Sequence, residues 1–130
     1  MSLLAMTKHY AQTICLRDGA GVVDEYKAYH AEAWPEVCDA LSAVGVEEMR
    51  IWLVGRRLFM AMSTSDAFDP EVDFPRHMAM SPRCVEWGAR MRAFQTPAPE
   101  AKEGDWWTYM ECVFDLGARD RSKPGYRNSD

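Results

Sequence analysis

The chain has 130 residues, of which 48% are apolar, and its 20 acidic against 15 basic residues give a net charge of −5 at neutral pH. This length fits one domain with a core of its own, and the negative charge argues against a nucleic-acid-binding protein, which usually presents a basic face. No run approaches the ~18 apolar residues of a membrane span, and four widely spaced cysteines without a C-x-x-C pair are typical of free thiols in a cytoplasmic protein.

The first third of the chain predicts a strand followed by a helix. Residues 9–17 are rich in β-prone side chains, and the Gly-rich residues 18–21 predict a turn. Apolar and aromatic side chains then recur at helical spacing, which predicts a helix over 22–44. Pro35 is expected to end or bend this helix because it has no N–H to donate, and Gly45 suits the helix end.

The remaining elements are predicted as a hairpin, a helix and a closing strand. Residues 46–54 and 57–64 flank a Gly-Arg turn, which is typical of a β-hairpin. Residues 68–80 contain two prolines and are expected to form a loop with one short helix. A proline suits the first turn of a helix over 82–94, and the apolar run 106–115 predicts the last strand.

The order β-α-β-β-α-β indicates a ferredoxin-like α+β fold, in which an antiparallel sheet carries both helices on one face. Residues 1–116 are expected to form this single domain, with residues 1–8 flexible or left over from an expression vector, and residues 117–130 are expected to form a polar, mobile tail. The closing strand is apolar on both sides, and a large bare apolar face marks an interface. We therefore expect a homodimer whose sheets pack together into a dimeric α+β barrel.

The most informative motif is Tyr26-x-x-x-His30-x-x-x-Trp34. It brackets an imidazole with two aromatic rings along one helix face, since residues four apart are neighbours on a helix. Histidine exchanges protons near neutral pH, and flat rings suit a ring-shaped, partly apolar ligand. Such a stripe is also typical of the packed side of an ordinary amphipathic helix, and packing at the helix end is the better explanation for Trp34. The motif makes His30 a candidate proton-transfer group.

The sequence around this motif resembles that of a known family. The run Glu25–Val37 resembles the first helix of the L-rhamnose mutarotase family. Four shorter runs resemble later elements of that family in the same order: Met49–Trp52, Arg57–Met62, Cys84–Trp87 and Met110–Leu116. The likeness covers residues 9–116, and the motif of the first helix is its most specific part.

The resemblance implies a dimeric ferredoxin-like enzyme that interconverts the α and β anomers of L-rhamnose, with a monosaccharide substrate and no cofactor or metal ion. His30 matches the family's proton-transferring histidine, and Tyr26 and Trp87 match aromatic residues that contact the sugar. Met49 and Gly88 stand where the family has a tyrosine and a second tryptophan. Because lost hydrogen-bond donors and stacking area change substrate choice, we expect L-rhamnose or a related 6-deoxy sugar such as L-fucose.

Opening a sugar ring brings one proton to the ring oxygen and removes another from the anomeric hydroxyl. A positioned imidazole can serve either transfer, and the second group is open among Tyr26, Glu36, Glu111 and a bound water. Glu111 is expected to be paired or in the pocket, because it stands in an otherwise apolar strand. His9 and His77 lack zinc-binding spacing and are expected at the surface or at a helix cap.

Two other functions fit the same residues. A cofactor-free oxygenase or isomerase on the same dimeric barrel would use His30 on an aromatic substrate. A non-catalytic module would use the aromatic stripe to bind a small ligand. One fold hosts many activities, so the fold alone does not separate these hypotheses from a mutarotase.

Overall fold

A single antiparallel sheet organises the molecule. The structure, a computed structural model, describes residues 7–117, and the expectations for residues 1–6 and for the tail beyond 117 lie outside this range. Residues 7 and 8, which were expected to be flexible or left over from an expression vector, belong to the first strand. The strands are β1 (Thr7–Leu16), β2 (Val46–Val54), β3 (Arg57–Ser65), β4 (Gln95–Thr96) and β5 (Thr108–Tyr109). The strand order is β2-β3-β1-β4, and β5 pairs with β1 on the same edge as β4.

The described residues also form the helices α1 (Val22–Ala31), α2 (Pro35–Ala43), α3 (Pro70–Ala79) and α4 (Pro82–Phe94). The single helix predicted over 22–44 is divided into α1 and α2. Pro35 opens α2, and the residue before a proline avoids helical geometry, so Trp34 is extended with φ −68° and ψ 131°. The division turns the chain at the end of the Tyr-His-Trp motif.

The segment that was predicted as a loop with a short helix is largely helical. Its helix α3 spans ten residues and continues through Pro75. The Asp69 side chain caps the first turn by accepting a hydrogen bond from the Glu71 backbone N–H at 3.0 Å. In return, the Asp73 carboxylate accepts one from the Asp69 backbone N–H at 2.8 Å, which holds the pKa of Asp73 below its usual value. This reciprocal cap favours the helix despite its internal proline.

The core lies between the helices and one face of the sheet. Alternate residues of β1 and β3 are buried there, as expected for strands with one covered face. Ile14, Leu16 and Leu58 form a cluster with Tyr26 of α1 and Met91 of α4. The packing of α1 and α4 onto the centre of the sheet thus places the Tyr-His-Trp motif above β1.

The opposite face of the sheet carries none of these helices. On it the ring of Trp52, which is 50% exposed, stacks on Phe59 with 5.4 Å between ring centroids and 23° between ring planes. Ala11 and Ala61 are register partners on the same face. We call the surface of Trp52, Phe59, Ala11 and Ala61 the open sheet face.

The strand order confirms the predicted ferredoxin-like α+β fold, and the predicted hairpin is confirmed as β2 and β3. The prediction of a long closing strand over 106–115 is wrong. β4 pairs with Cys15 and Leu16, and the later segment pairs with β1 only at Thr108–Tyr109. Residues 111–117 then leave the sheet without regular structure. Alternating apolar residues favour a strand, but a strand forms only where the backbone also pairs with a neighbouring strand.

Candidate active site

A cavity of about 880 Å³ lies between the helices and the sheet, within the range of small-ligand pockets, ~300–1,000 Å³. Its lining includes Gln12, Met49, Ile51 and Met60 from the strands, and Tyr26, His30, Trp87, Met91, Gln95 and Trp106 from the rest of the chain. A mostly apolar wall with a few polar groups is the usual composition of a site for a small organic ligand. The sequence-predicted site residues His30, Tyr26 and Trp87 all line this one cavity.

His30 is held in one tautomer. Its Nδ1 lies 2.9 Å from the backbone oxygen of Tyr26. A carbonyl oxygen only accepts hydrogen bonds, so Nδ1 carries the proton and Nε2 keeps its lone pair in the neutral ring. Burial lowers the pKa of His30, and the bond to the Tyr26 carbonyl opposes this in part. The imidazole is therefore neutral near pH 7 and able to accept a proton at Nε2.

Tyr26 lies against the same imidazole. The two ring centroids are 4.3 Å apart, and Tyr26 is only 4% exposed. Burial raises the pKa of the phenol above 10.0, and a hydrogen bond from Gln95 lowers it in part. The phenol therefore keeps its proton at neutral pH and can donate it to a ligand.

Gln95 links Tyr26 to the segment before β5. Its Nε2 lies 3.3 Å from the Tyr26 hydroxyl, and its Oε1 accepts a hydrogen bond from the Trp106 indole N–H at 2.8 Å. Gln95 is 2% exposed, and it lies at the junction of α4 and β4. The three side chains form a continuous hydrogen-bonded row in the cavity wall.

Trp87 brings α4 to the motif of α1. Its indole meets the His30 ring at 5.3 Å and 72° and the Trp34 ring at 5.2 Å and 71°, both edge-on. The Arg83 guanidinium lies 3.6 Å from the centre of the Trp34 ring. Trp34 is thus packed at the start of α2, between Trp87 and Arg83, while Trp87 reaches the cavity.

The carboxylates that the sequence offered as second proton-transfer groups lie elsewhere. Glu36 is exposed and forms an ion pair with Arg83 at 3.9 Å. Glu111 is exposed on the segment that leaves the sheet, so the expectation of a pocket position is wrong. A carboxylate needs a partner only where it is buried. Of the three protein candidates, Tyr26 alone lines the cavity.

The expectation for His77 is also wrong, while His9 is exposed as expected. His77 is buried against α2, where it makes a hydrogen bond with the Val37 backbone, and burial lowers its pKa. Its Nε2 has no hydrogen-bond partner among residues 7–117. α3 is longer than the short helix that the sequence predicted, and it turns this side chain inward.

Both positions that depart from the family pattern line the cavity. Met49 stands on β2, and Gly88 stands on α4. A Cβ added at Gly88 would lie 3.0 Å from Cε of Met78. The flexible Met78 side chain thus occupies the space beside Gly88, and thioethers adapt readily to irregular gaps. This part of the cavity wall is therefore more adaptable and less polar than it would be with a phenol and an indole at the two positions.

The sequence analysis missed Gln12, Gln95 and Trp106. Gln12 shares the buried face of β1 with Ile14 and Leu16, so its even spacing from them is a signal that could have identified it. Gln95 and Trp106 meet only because the chain folds back between β4 and β5. Trp106 and Trp107 both line the cavity, since they precede the short strand rather than alternate along it.

Within residues 7–117, no three His, Cys, Asp or Glu side chains are grouped so that they could hold a metal ion. None of the helices in that part of the chain is long and apolar enough to cross a membrane. The cysteines at positions 15, 38 and 84 are free thiols. Burial raises the pKa of the Cys84 thiol, and the nearby Glu36 charge raises it further, so this thiol stays protonated.

The chain is similar to several known proteins. Residues 9–116 match a family model described as L-rhamnose mutarotase. A UPF0734 protein from Dictyostelium discoideum is 39% identical over 112 residues, which cover 84% of this chain and 90% of that protein. An L-fucose mutarotase from Xanthomonas campestris pv. campestris is 34% identical over 103 residues, which cover 78% and 82%. The crystal structure of an L-rhamnose mutarotase from Formosa agariphila has a similar fold, with a TM-score of 0.60 at 22% identity over 84% of this chain and 98% of that one.

Proposed function

The chain belongs to the L-rhamnose mutarotase family, a family of isomerases, and from this premise we propose that it interconverts the α and β anomers of L-rhamnose, L-fucose or a related 6-deoxy sugar, with His30 as the general acid and base. The reaction opens the sugar ring at the anomeric carbon and closes it on the other face. It requires a group that takes a proton and returns it, which an imidazole of near-neutral pKa does well.

The observation that carries the proposal is the tautomer of His30 inside a ligand-sized cavity. Nδ1 is engaged with the Tyr26 carbonyl at 2.9 Å, so Nε2 is the nitrogen left for the substrate. Nε2 would accept the proton of the anomeric hydroxyl during opening and return a proton to the same oxygen during closing. Trp87 would lie against the apolar C–H surface of the sugar, as aromatic side chains do in many ligand sites.

The choice of sugar is the finer part of the proposal. At Met49 and Gly88 the chain lacks a phenol and an indole that would contact L-rhamnose in the family pattern. A relative at 34% identity is an L-fucose mutarotase. Both facts support a 6-deoxy sugar other than, or besides, L-rhamnose, because a hydrogen-bonding site discriminates strongly between hydroxyl arrangements.

Anomer exchange can be measured directly by NMR saturation transfer between the α and β resonances. We expect the protein to accelerate exchange of L-rhamnose or L-fucose, and His30→Gln to lower the rate by roughly 10²–10⁴-fold, the usual value of positioned proton transfer. His9→Gln is the matched control, since His9 is exposed outside the cavity. Sugar binding without exchange would favour a non-catalytic module, and oxygen uptake with a phenolic substrate would favour the oxygenase.

We also propose a homodimer, formed through the open sheet face. Support comes from Trp52, half-exposed on that face, and from the segment 111–117, where Val113 and Phe114 are 82% and 75% exposed. Apolar surfaces of this kind are usually covered by another chain. A cytoplasmic location belongs to the same proposal, since free thiols persist in a reducing compartment.

A further inference from the structure

The direction of the hydrogen bonds in the row Trp106–Gln95–Tyr26 is fixed by chemistry. An indole N–H only donates, so the Gln95 atom 2.8 Å from the Trp106 Nε1 must be the amide oxygen. The amide nitrogen of Gln95 then faces the Tyr26 hydroxyl at 3.3 Å and donates to its oxygen. The phenol receives this hydrogen bond, and its own proton is directed to another acceptor.

We propose that Gln95 and Trp106 are positioning residues that present Tyr26 as a proton donor to the substrate, so that Tyr26 is the second proton-transfer group beside His30. This inference rests on the proposed mutarotase function. Without Trp106, the Gln95 amide could turn over and accept the phenol proton instead. The donor-only indole removes that alternative and keeps the Tyr26 proton for the ligand.

The proposed step balances as follows. During opening, the Tyr26 O–H gives its proton to the ring oxygen, and His30 Nε2 takes the proton of the anomeric hydroxyl. The bond between the anomeric carbon and the ring oxygen breaks, and the anomeric carbon becomes the carbonyl of an open-chain aldehyde. The aldehyde group then rotates about the neighbouring carbon–carbon bond. As the ring closes, the hydroxyl formed from the former ring oxygen returns a proton to Tyr26, and His30 returns its proton to the anomeric oxygen. The hydrogen bond from Gln95 stabilises the charge that develops on the phenol oxygen.

The interrupted edge of the sheet builds this row. β4 fixes Gln95 opposite Leu16, and β5 pairs with β1 at Gln12 and Thr13. The chain between β4 and β5 returns Trp106 to Gln95, eleven residues earlier in sequence. The guanidinium of Arg92 lies over the Trp106 ring at 5.6 Å. The indole is thus held by a side-chain hydrogen bond and by a cation above its ring, two residues before β5 begins.

Two substitutions of Gln95 separate positioning from mere packing. Gln95→Glu has nearly the same shape, but an ionised carboxylate accepts hydrogen bonds from both Trp106 and Tyr26, so the phenol O–H is directed at the carboxylate instead of at the ligand. Gln95→Met replaces the amide by an apolar side chain, which neither donates a hydrogen bond to the phenol nor competes with the ligand for its proton. We expect Gln95→Glu to slow anomer exchange at about pH 8 as strongly as Tyr26→Phe, roughly 10²-fold, and Gln95→Met to slow it roughly 10-fold or less. The deficit of Gln95→Glu should shrink towards about pH 6, where a buried carboxyl regains its proton.

A double-mutant cycle gives the second test. Trp106→Phe should slow exchange in the natural chain and have no further effect in a Tyr26→Phe background, because it acts through Tyr26. Equal losses in both backgrounds, or a smaller loss for Gln95→Glu than for Gln95→Met, would overturn the inference while leaving the mutarotase function standing. A natural chain that accelerates exchange of neither sugar would overturn the function itself. Thermal unfolding of each variant confirms that the comparison is made on folded protein.

Discussion

The indole of Trp87 meets the imidazole of His30 edge-on, with 5.3 Å between the ring centroids and 72° between the ring planes. α4 supplies the indole and α1 supplies the imidazole, so the packing of these two helices sets the position of the proposed proton-transfer group. Tyr26 adds a second ring contact and a carbonyl acceptor. The imidazole cannot turn without losing these contacts, and a fixed geometry is what proton transfer to a bound sugar requires.

The free energy of unfolding is expected to fall in mild acid. Burial lowers the pKa values of His30 and His77 below 6.5, and their bonds to backbone groups oppose this in part. Below that pH the unfolded chain binds more protons than the folded one, so stability is full above about pH 6.5 and decreases as the pH falls towards the folded pKa values. Urea unfolding at about pH 7.5 and about pH 5.5 measures the difference.

His77→Gln should weaken this pH dependence, because His77 is buried. The carboxylates with lowered pKa values, Asp73 and Glu86, start from 3.8 and 4.5 and act at lower pH. A natural chain that is equally stable at both pH values would contradict the prediction.

Gly88→Trp is expected to be tolerated only if the Met78 side chain moves aside. Any side chain at Gly88 must displace the Met78 methyl group, which lies 3.0 Å from the added Cβ. Overpacking of this kind lowers the free energy of unfolding by about 1–3 kcal/mol. Met78→Ala in the same chain should restore part of the loss, so that the two changes are not additive in urea unfolding.

The same double variant is expected to exchange L-rhamnose faster relative to L-fucose, because it regains an indole in the cavity wall. Gly88→Ala with Met78→Ala is the matched control, since it fills the same position without an aromatic ring. If both double variants show the same ratio of NMR exchange rates for the two sugars, position 88 does not set the sugar preference.

Gln12→Leu is expected to weaken sugar binding without unfolding the protein. The Gln12 side chain is buried on β1 beside the cavity, where its amide can bond a sugar hydroxyl. Loss of one neutral hydrogen bond should weaken binding by roughly 3–10-fold. Replacing a buried amide by an apolar side chain should keep or raise the midpoint of thermal unfolding. Titration of the sugar with detection by tryptophan fluorescence measures affinity, and unchanged affinity would remove Gln12 from the site.

Trp52→Glu is expected to convert the proposed homodimer into a monomer. A carboxylate on the open sheet face would have to lose its water in the dimer, which costs far more than the lost apolar contact. Val72→Glu is the control, because Val72 is similarly exposed, at 54% against 50%, but lies on α3. Sedimentation equilibrium should give a dimer for the natural chain and for Val72→Glu. A natural chain that sediments as a monomer would contradict the proposed assembly.

Local sequence signals were sufficient to predict the hairpin and α4. The turn at Gly55 and the proline at the start of α4 are features that act within a few residues. Pro75, by contrast, suggested a loop, but the reciprocal cap of Asp69 and Asp73 stabilises a helix around it. That cap depends on side-chain geometry that proline content does not reveal.

The candidate site was only partly predictable for the same kind of reason. Tyr26 and His30 are four residues apart on one helix, so their proximity follows from helical geometry. Gln95 and Trp106 meet because the chain returns to the same edge of β1 after β4. The path of the chain between β4 and β5 depends on the whole sheet, and no local pattern in Trp106–Asp115 reports it.

The edge of β1 is shared by two strands of two residues each, and the chain between them is a surface loop. Because lengthening a surface loop costs little free energy, natural insertions between Thr96 and Thr108 can reshape one side of the sugar site without shifting the register of the central strands. Differences in substrate preference among relatives are thus expected to follow the length and composition of this stretch, where a change in the site costs the least free energy of folding.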